Sequence, residues 1–408
     1  MLPSRTRVLV SGLVGAALLG AAAASGCSSS SGSAADVVSS QSYRGHENDG
    51  DINAFVNAYP HVVGTRLDDC QTCHTGGEIA DDQGQTSQLN PCTYCHLIPY
   101  PDAAVVAGAP ADYQATLNPY GRQYDRSGRS EEALRSIEGN DSDGDSFDNA
   151  TEIAQLRYPG DADSKPGQPA ATIRTFSWEE LTALADHEQF LLLNSHKQQF
   201  DVYASYRGVR VATLLEAAGA DLSQATGATF FAPDGYTIDV DVRAITEPFP
   251  PGIYYAGLDP GGFADPGQGF VQYPPDETQP AGLVDGEAIP GEPWLLVGYE
   301  RDGLPLDASY LDAVTGRLNG EGPYRSVVPQ GTPGAPDRGS NFSPSGYDDG
   351  YDYDDSKDHN AGSCVRGLVA IRVNPMPAGY EEFDWKNGGY SLVDKQQLIV
   401  YGLGITGE

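Results

Sequence analysis

The sequence predicts a multidomain chain, in which a small, irregular, mostly helical segment is followed by a larger α+β region. Three observations lead there. At 408 residues with 39% hydrophobic content, the chain exceeds what a single core usually holds. Five of its six cysteines, Cys27, Cys70, Cys73, Cys92 and Cys95, lie within the first hundred residues, and only Cys364 lies beyond. From Thr172 onward helical and strand periods alternate. The boundaries predicted are 1–26, 27–42, 43–129, 130–168 and 169–408.

The first stretch reads as an export signal. Arg5 and Arg7 form a short cationic head, and Val8 to Ala24 is an apolar run rich in Ala and Gly, too short to read as a spanning helix. Ala24-Ser25-Gly26-Cys27 resembles the lipobox of bacterial lipoproteins, which implies cleavage before Cys27 and a lipid on its new N-terminus. The competing reading is an ordinary cleaved signal with an incidental cysteine. Ser28 to Ser33 then reads as a flexible tether over 27–42. Together these predict an exported protein held at a periplasm-facing membrane, or at the outer membrane and cell surface. With 24 Lys+Arg against 57 Asp+Glu, the formal charge is -33. Such a surface repels nucleic acid and anionic lipid and favours basic partners or bound cations, although acidity also serves solubility alone.

Two motifs carry the chemistry of 43–129. Cys70-Gln71-Thr72-Cys73-His74 and Cys92-Thr93-Tyr94-Cys95-His96 have the attachment spacing of c-type haem. Two thiols three residues apart lie on one side of a helical turn, where each can bond a haem vinyl group. The adjoining His74 or His96 then meets the iron as proximal ligand. The same four cysteines also fit a zinc ribbon, with eighteen residues between Cys73 and Cys92, and plain disulfides are a third option. The histidine after each pair, in an exported chain, favours two covalently bound haem c groups. His46 and His61 sit in a polar, turn-rich stretch and are the expected distal ligands; the alternative is a pair of solvated imidazoles. His187, His196, His359 and Met376 are substitutes if the C-terminal region folds back over the haems.

The run from Asp141 to Glu152 is an EF-hand-like calcium loop within 130–168. It sets oxygen ligands at Asp141, Asp143, Asp145, Asn149 and Glu152, with the Phe147 carbonyl at position 7. Ser130 to Ile137 has the cap and apolar spacing of an entering helix, and Ala150 to Leu156 can form the exiting one. Ser146 replaces the usual glycine at position 6, while Gly144 stands at position 4 as in dockerin-like loops. The competing reading is a solvated acidic turn. A structural role is expected, with one ion pinning the haem segment to the region C-terminal to it.

In 169–408, Ser177 caps a helix through Leu184, and Gln189 to Leu193 is a short apolar strand. Tyr206 to Arg210 leads into a Leu-rich helix ending at Gly219. Gly227 to Val240 reads as a hairpin around Pro233-Asp234-Gly235. Trp294 to Tyr299 and Arg325 to Pro329 are further buried strands.

The order of Arg207-Gly208-Val209, Leu295 to Tyr299, Gly303-Leu304-Pro305-Leu306 and Gly322-Pro323-Tyr324-Arg325 resembles the molybdopterin-binding fold of the sulfite oxidase family. Gly320-Glu321-Gly322-Pro323, with the haem pair and Asn118-Pro119-Tyr120-Gly121, further resembles the GEGP motif-containing dihaem proteins. That resemblance implies periplasmic or extracellular electron transfer. The molybdenum-binding cysteine implied by the first resemblance has no counterpart in Leu193-Asn194-Ser195-His196, and Cys364 comes much later. A molybdopterin is therefore not expected, and the region reads as a scaffold for docking or haem shielding.

The function expected is a dihaem c-type cytochrome lipoprotein that relays electrons, a carrier rather than a catalyst. Its partners would be redox proteins, such as other multihaem cytochromes, and a membrane reached through the lipid. The alternative is an oxidoreductase whose haem segment exchanges electrons with a site in the C-terminal region.

Overall fold

The computed structural model describes residues 32–33, 50–68, 70–74, 78–80, 86–88, 117–198, 200–233, 236–258, 270–311, 318–341, 344, 346, 350–384 and 392–406. Two six-stranded sheets dominate it. In the first, the order is Gly32–Ser33, Thr172–Phe176, Leu398–Gly402, Ala370–Asn374, Gly227–Phe231 and Thr237–Asp241. All of its neighbours run antiparallel except Ala370–Asn374 beside Leu398–Gly402. The central strands are unbroken buried runs, such as Leu398-Ile399-Val400-Tyr401, as expected of strands covered on both faces.

The second sheet is built on Asp201–Arg210, paired antiparallel with His187–Leu193 on one side and Leu296–Arg301 on the other. Leu304–Pro305, Arg325–Val327 and Val271–Gln272 complete it. Val209, Leu214, Phe230, Val297, Ile371 and Val400 belong to one core that joins the two sheets. The helices Trp178–Ala183 and Val211–Ala217 contribute to that core through Leu181, Leu214 and Leu215. Ser177 starts the first with a complete capping box to Glu180.

Preceding the sheets, the helices Gly50–Ala58, Pro119–Arg126, Glu131–Ser136 and Asn149–Ala154 surround a separate, aromatic-rich core. Phe55, Tyr59, Tyr120, Leu134, Ile153 and Tyr158 meet there, with Cys73 packed at its edge. The core contains residues from both sides of position 129, so the loop segment and the first cysteine motif share one interior.

The expected fold class needs correction. In place of a mostly helical segment over 43–129, strand exceeds helix among the described residues and the architecture is set by sheets. Even the first cysteine motif is followed by paired strands, Glu78–Ala80 with Thr86–Gln88. Among the described residues, the α-helices before residue 169 have only six to nine residues. Their shortness has local causes. Gly128 at φ +102 follows Pro119–Arg126, and Leu156 at φ +54 stops the exiting helix two residues short of its predicted end.

One contact set joins the two parts. The carboxylate of Glu381 accepts from Arg66 Nη1 at 2.7 Å and from Ser164 Oγ at 2.8 Å, and pairs with Arg157. Tyr158 donates to Asp384 at 2.5 Å, and Arg66 lies over its ring.

Candidate functional site

The first cysteine motif enters as a 3-10 turn, Cys70–Thr72, held from both sides. Thr72 Oγ1 donates to the Leu67 carbonyl at 2.9 Å. The Asn118 side chain donates to the carbonyls of Gln71 and Thr72, each at 3.1 Å, and its backbone N–H donates to the Cys73 carbonyl at 2.9 Å. The same side chain accepts from Gly121 N at 2.8 Å and so caps Pro119–Arg126. A Cβ on Gly121 would fall 2.1 Å from the Cys73 carbonyl oxygen, so only glycine allows the helix so close. Asn118-Pro119-Tyr120-Gly121 is thus the backing of the Cys70–Thr72 turn. The sequence marks that stretch but not its task.

Cys73 packs at the edge of the aromatic core, and His74 continues into a bridge with Leu117. Were haem attached at this turn, Cys70, Cys73 and His74 would hold it. His61 is exposed on the turn Pro60–Val62, with Nε2 3.2 Å from the Ile153 carbonyl, a bond it would exchange to reach an iron. Of the substitutes, His187 meets the Glu292 carbonyl at 2.9 Å, whereas Met376 lines a recess of about 570 Å³ that Gln71 also borders. Cys27, His46, Cys92, Cys95 and His96 lie outside the described residues. Among the described residues, no helix is long and apolar enough to cross a membrane.

The acidic loop is the best-formed metal-binding candidate. Oxygens of Asp141, Asp143 and Asp145 lie within 4.8 Å of one another. Asp141 organises the turn, accepting from Gly144 N at 2.7 Å and Ser146 N at 3.0 Å. Gly144 and Ser146 both take positive φ, +87 and +84, so the serine accepts the strain that glycine usually avoids here. Asp148 caps the exiting helix through Thr151 N at 2.8 Å and is occupied there. Asn149 donates to the Ile137 carbonyl at 2.7 Å, leaving its Oδ1 without a partner.

Glu152 decides the character of the site. It is 0% exposed, and neither carboxylate oxygen has a hydrogen-bond partner. Burial, and then the charges of Asp143, Asp145 and Asp141, push its carboxyl up to about 9. Burial likewise raises Asp143 to about 6, with Asp145 and Asp141 adding to it. Three aspartates cluster, Glu152 lies near enough to feel their charge, and the donor set is all oxygen, as calcium prefers.

The sheet unit contains a second constellation that sequence spacing did not announce. A cavity of about 710 Å³ is lined by Arg301, Arg325, Arg366, Lys197 and Lys357, with His196 and His359. Tyr353 Oη lies 2.7 Å from His196 Nδ1 and its ring stacks on His359, so the Tyr351–Asp355 segment is part of this wall and not merely an acidic loop. Glu321 of the Gly-Glu-Gly-Pro run meets Arg301 at 2.9 Å and Arg325 at 2.8 Å. Burial pushes the Glu321 carboxyl up, but the two guanidiniums outweigh it and bring it down to about 2. Gly320, at φ +81, turns the chain where a Cβ would fall 2.6 Å from the Ala308 carbonyl oxygen. Cys364 is not on this cavity; its buried Sγ accepts from Val328 N at 3.3 Å. A molybdenum cofactor needing a thiolate there does not fit these residues.

The chain matches no family model, no curated protein and no solved structure.

Proposed function

We propose that the chain is a dihaem c-type electron carrier, exported and held at a membrane by a lipid on Cys27. The observation that carries the reading is the double Cys-x-x-Cys-His motif, Cys70 to His74 and Cys92 to His96. The clasp of Asn118 and Gly121 on the first motif supports it, because covalent attachment needs both thiols and the following histidine in fixed relation. Haem iron supplies one-electron chemistry when bound. The chain's own contribution is to hold His74 and His96 as proximal ligands and to offer His61 and His46 from the distal side. The Gly320–Pro323 run agrees with the resemblance to GEGP motif-containing dihaem proteins. Redox proteins, including other multihaem cytochromes, are the partners this reading names.

The cationic cavity favours a second reading, in which the haem segment exchanges electrons with a reaction in the sheet unit. A potentiometric titration followed by visible spectroscopy separates the two. A carrier gives two one-electron waves with low-spin bands throughout. A high-spin component that responds to small ligands favours the enzyme, and a protein without a Soret band rules out both.

A further inference from the structure

We propose that the Asp141–Glu152 loop is a calcium-operated latch, in which the bound ion closes the core around Cys73 and, through Arg157, seats that core on Glu381 of the sheet unit. This goes beyond the haem reading and does not rest on it.

The ligand is dictated by the groups left unsatisfied. An acidic turn on a surface keeps its carboxylates in water, but Glu152 is 0% exposed, with two unpartnered oxygens near enough to feel the charges of Asp141, Asp143 and Asp145. Asp143 Oδ2 and Asp145 Oδ2 are buried and unpartnered as well. A carboxylate buried beside three others either takes up a proton or needs a cation between them, and two buried, unpartnered oxygens suit the cation. An all-oxygen set selects a hard divalent ion, and a glutamate at the twelfth position, able to give two oxygens, favours calcium over the smaller magnesium.

The relay is dictated by the attachments of Glu152. Asn149 N donates to the Asn140 carbonyl at 2.8 Å and Ala150 N to the Glu138 carbonyl at 3.0 Å, tying the exiting helix to the end of the entering one. Ile137 and Ile153, at the two ends of the loop, belong to the core on which Cys73 packs. Arg157 N donates to the Glu152 carbonyl at 2.8 Å, and its guanidinium pairs with Glu381. Glu381 is itself fixed to the start of the first sheet, donating to the Pro169 carbonyl at 2.9 Å and accepting from Ala171 N at 2.8 Å. Without the ion, neither carboxylate oxygen of Glu152 has a partner and nothing draws it to Asp141, Asp143 and Asp145. The exiting helix is then tied less firmly to the loop, and Arg157, bonded to the Glu152 carbonyl, loosens with it.

Hydrogen exchange on the whole chain as purified, with whatever group it carries, tests this, comparing calcium chloride, magnesium chloride and a calcium chelator. Calcium well above its Kd is expected to slow exchange roughly ten-fold or more both over 131–158 and at 381–384. In Arg157→Gln, calcium should still protect 131–158 but no longer 381–384. In Glu152→Gln, which keeps the side-chain shape and removes the buried charge, neither segment should respond, while the central strand Ala370–Asn374 exchanges as in the wild type. An absence of calcium response in the wild-type protein overturns the site. Protection confined to 131–158 in the wild type, or an Arg157→Gln variant that keeps its response at 381–384, overturns the latch.

Discussion

Two glutamates, the half-buried Glu321 of the sheet unit and the buried Glu152 of the loop, have been solved in opposite ways. Glu321 in the sheet unit is pulled down to about 2 by Arg325 and Arg301, its own chain supplying both counter-charges. Glu152 in the loop is pushed up to about 9 by burial and by three aspartates, and neither of its oxygens meets a basic side chain among the described residues. The difference separates a part of the fold that balances its interior charges internally from one that leaves room for a ligand. It also separates two kinds of residue that look alike in a sequence, a structural acid and a metal ligand.

The comparison predicts graded outcomes. Glu321→Gln should be the most disruptive, costing roughly 3 kcal/mol or more, because Arg325 stays buried after its partner is lost. Denaturant unfolding monitored by tryptophan fluorescence checks this, since Trp178, Trp294 and Trp385 all lie after the loop. The same glutamate sets an acid limit. Its folded value is lowered, so its contribution is complete above the ordinary glutamate range near 4.5 and is lost as pH falls through about 2. Wild-type stability should therefore show an acid-side loss in this window that is missing from Glu321→Gln; identical acid profiles would remove the ion pair from the account.

In the loop region, Gly121→Ala should cost about 2 kcal/mol, because its Cβ meets the Cys73 carbonyl. It should also reduce haem at the first motif while leaving the second filled. A full complement of two haems in that variant would show that the clasp is not needed for attachment. The smallest effect is opposite in sign. In chelator, Glu152→Gln should stabilise the protein by about 1 kcal/mol, since it removes an uncompensated buried acid. Thermal melts should then rank the variant above the wild type without calcium and below it with calcium.

What the sequence discloses is mostly local. The capping box at Ser177, the hairpin of Gly227–Phe231 with Thr237–Asp241, and the spacing of the acidic loop each depend on residues within about fifteen positions. The mostly helical character expected of the haem segment was wrong because short amphipathic stretches predict helix type but not length. The site was legible in its ligands and illegible in its surroundings. Neither the grip of Asn118 on Gln71 and Thr72 nor the meeting of Arg157 with Glu381, 224 residues apart, leaves a periodic trace. The cationic cavity is hidden for the same reason, since its arginines are scattered through a chain of charge -33 and only folding gathers them.

The most direct test of the central claim is a pyridine haemochrome count on purified wild-type protein, beside Cys73→Ser and Cys95→Ser variants. The account predicts two covalently bound haems per wild-type chain, with each variant losing the covalent haem of its own motif alone. A wild-type protein that carries no haem and instead holds one zinc across Cys70, Cys73, Cys92 and Cys95 would contradict it.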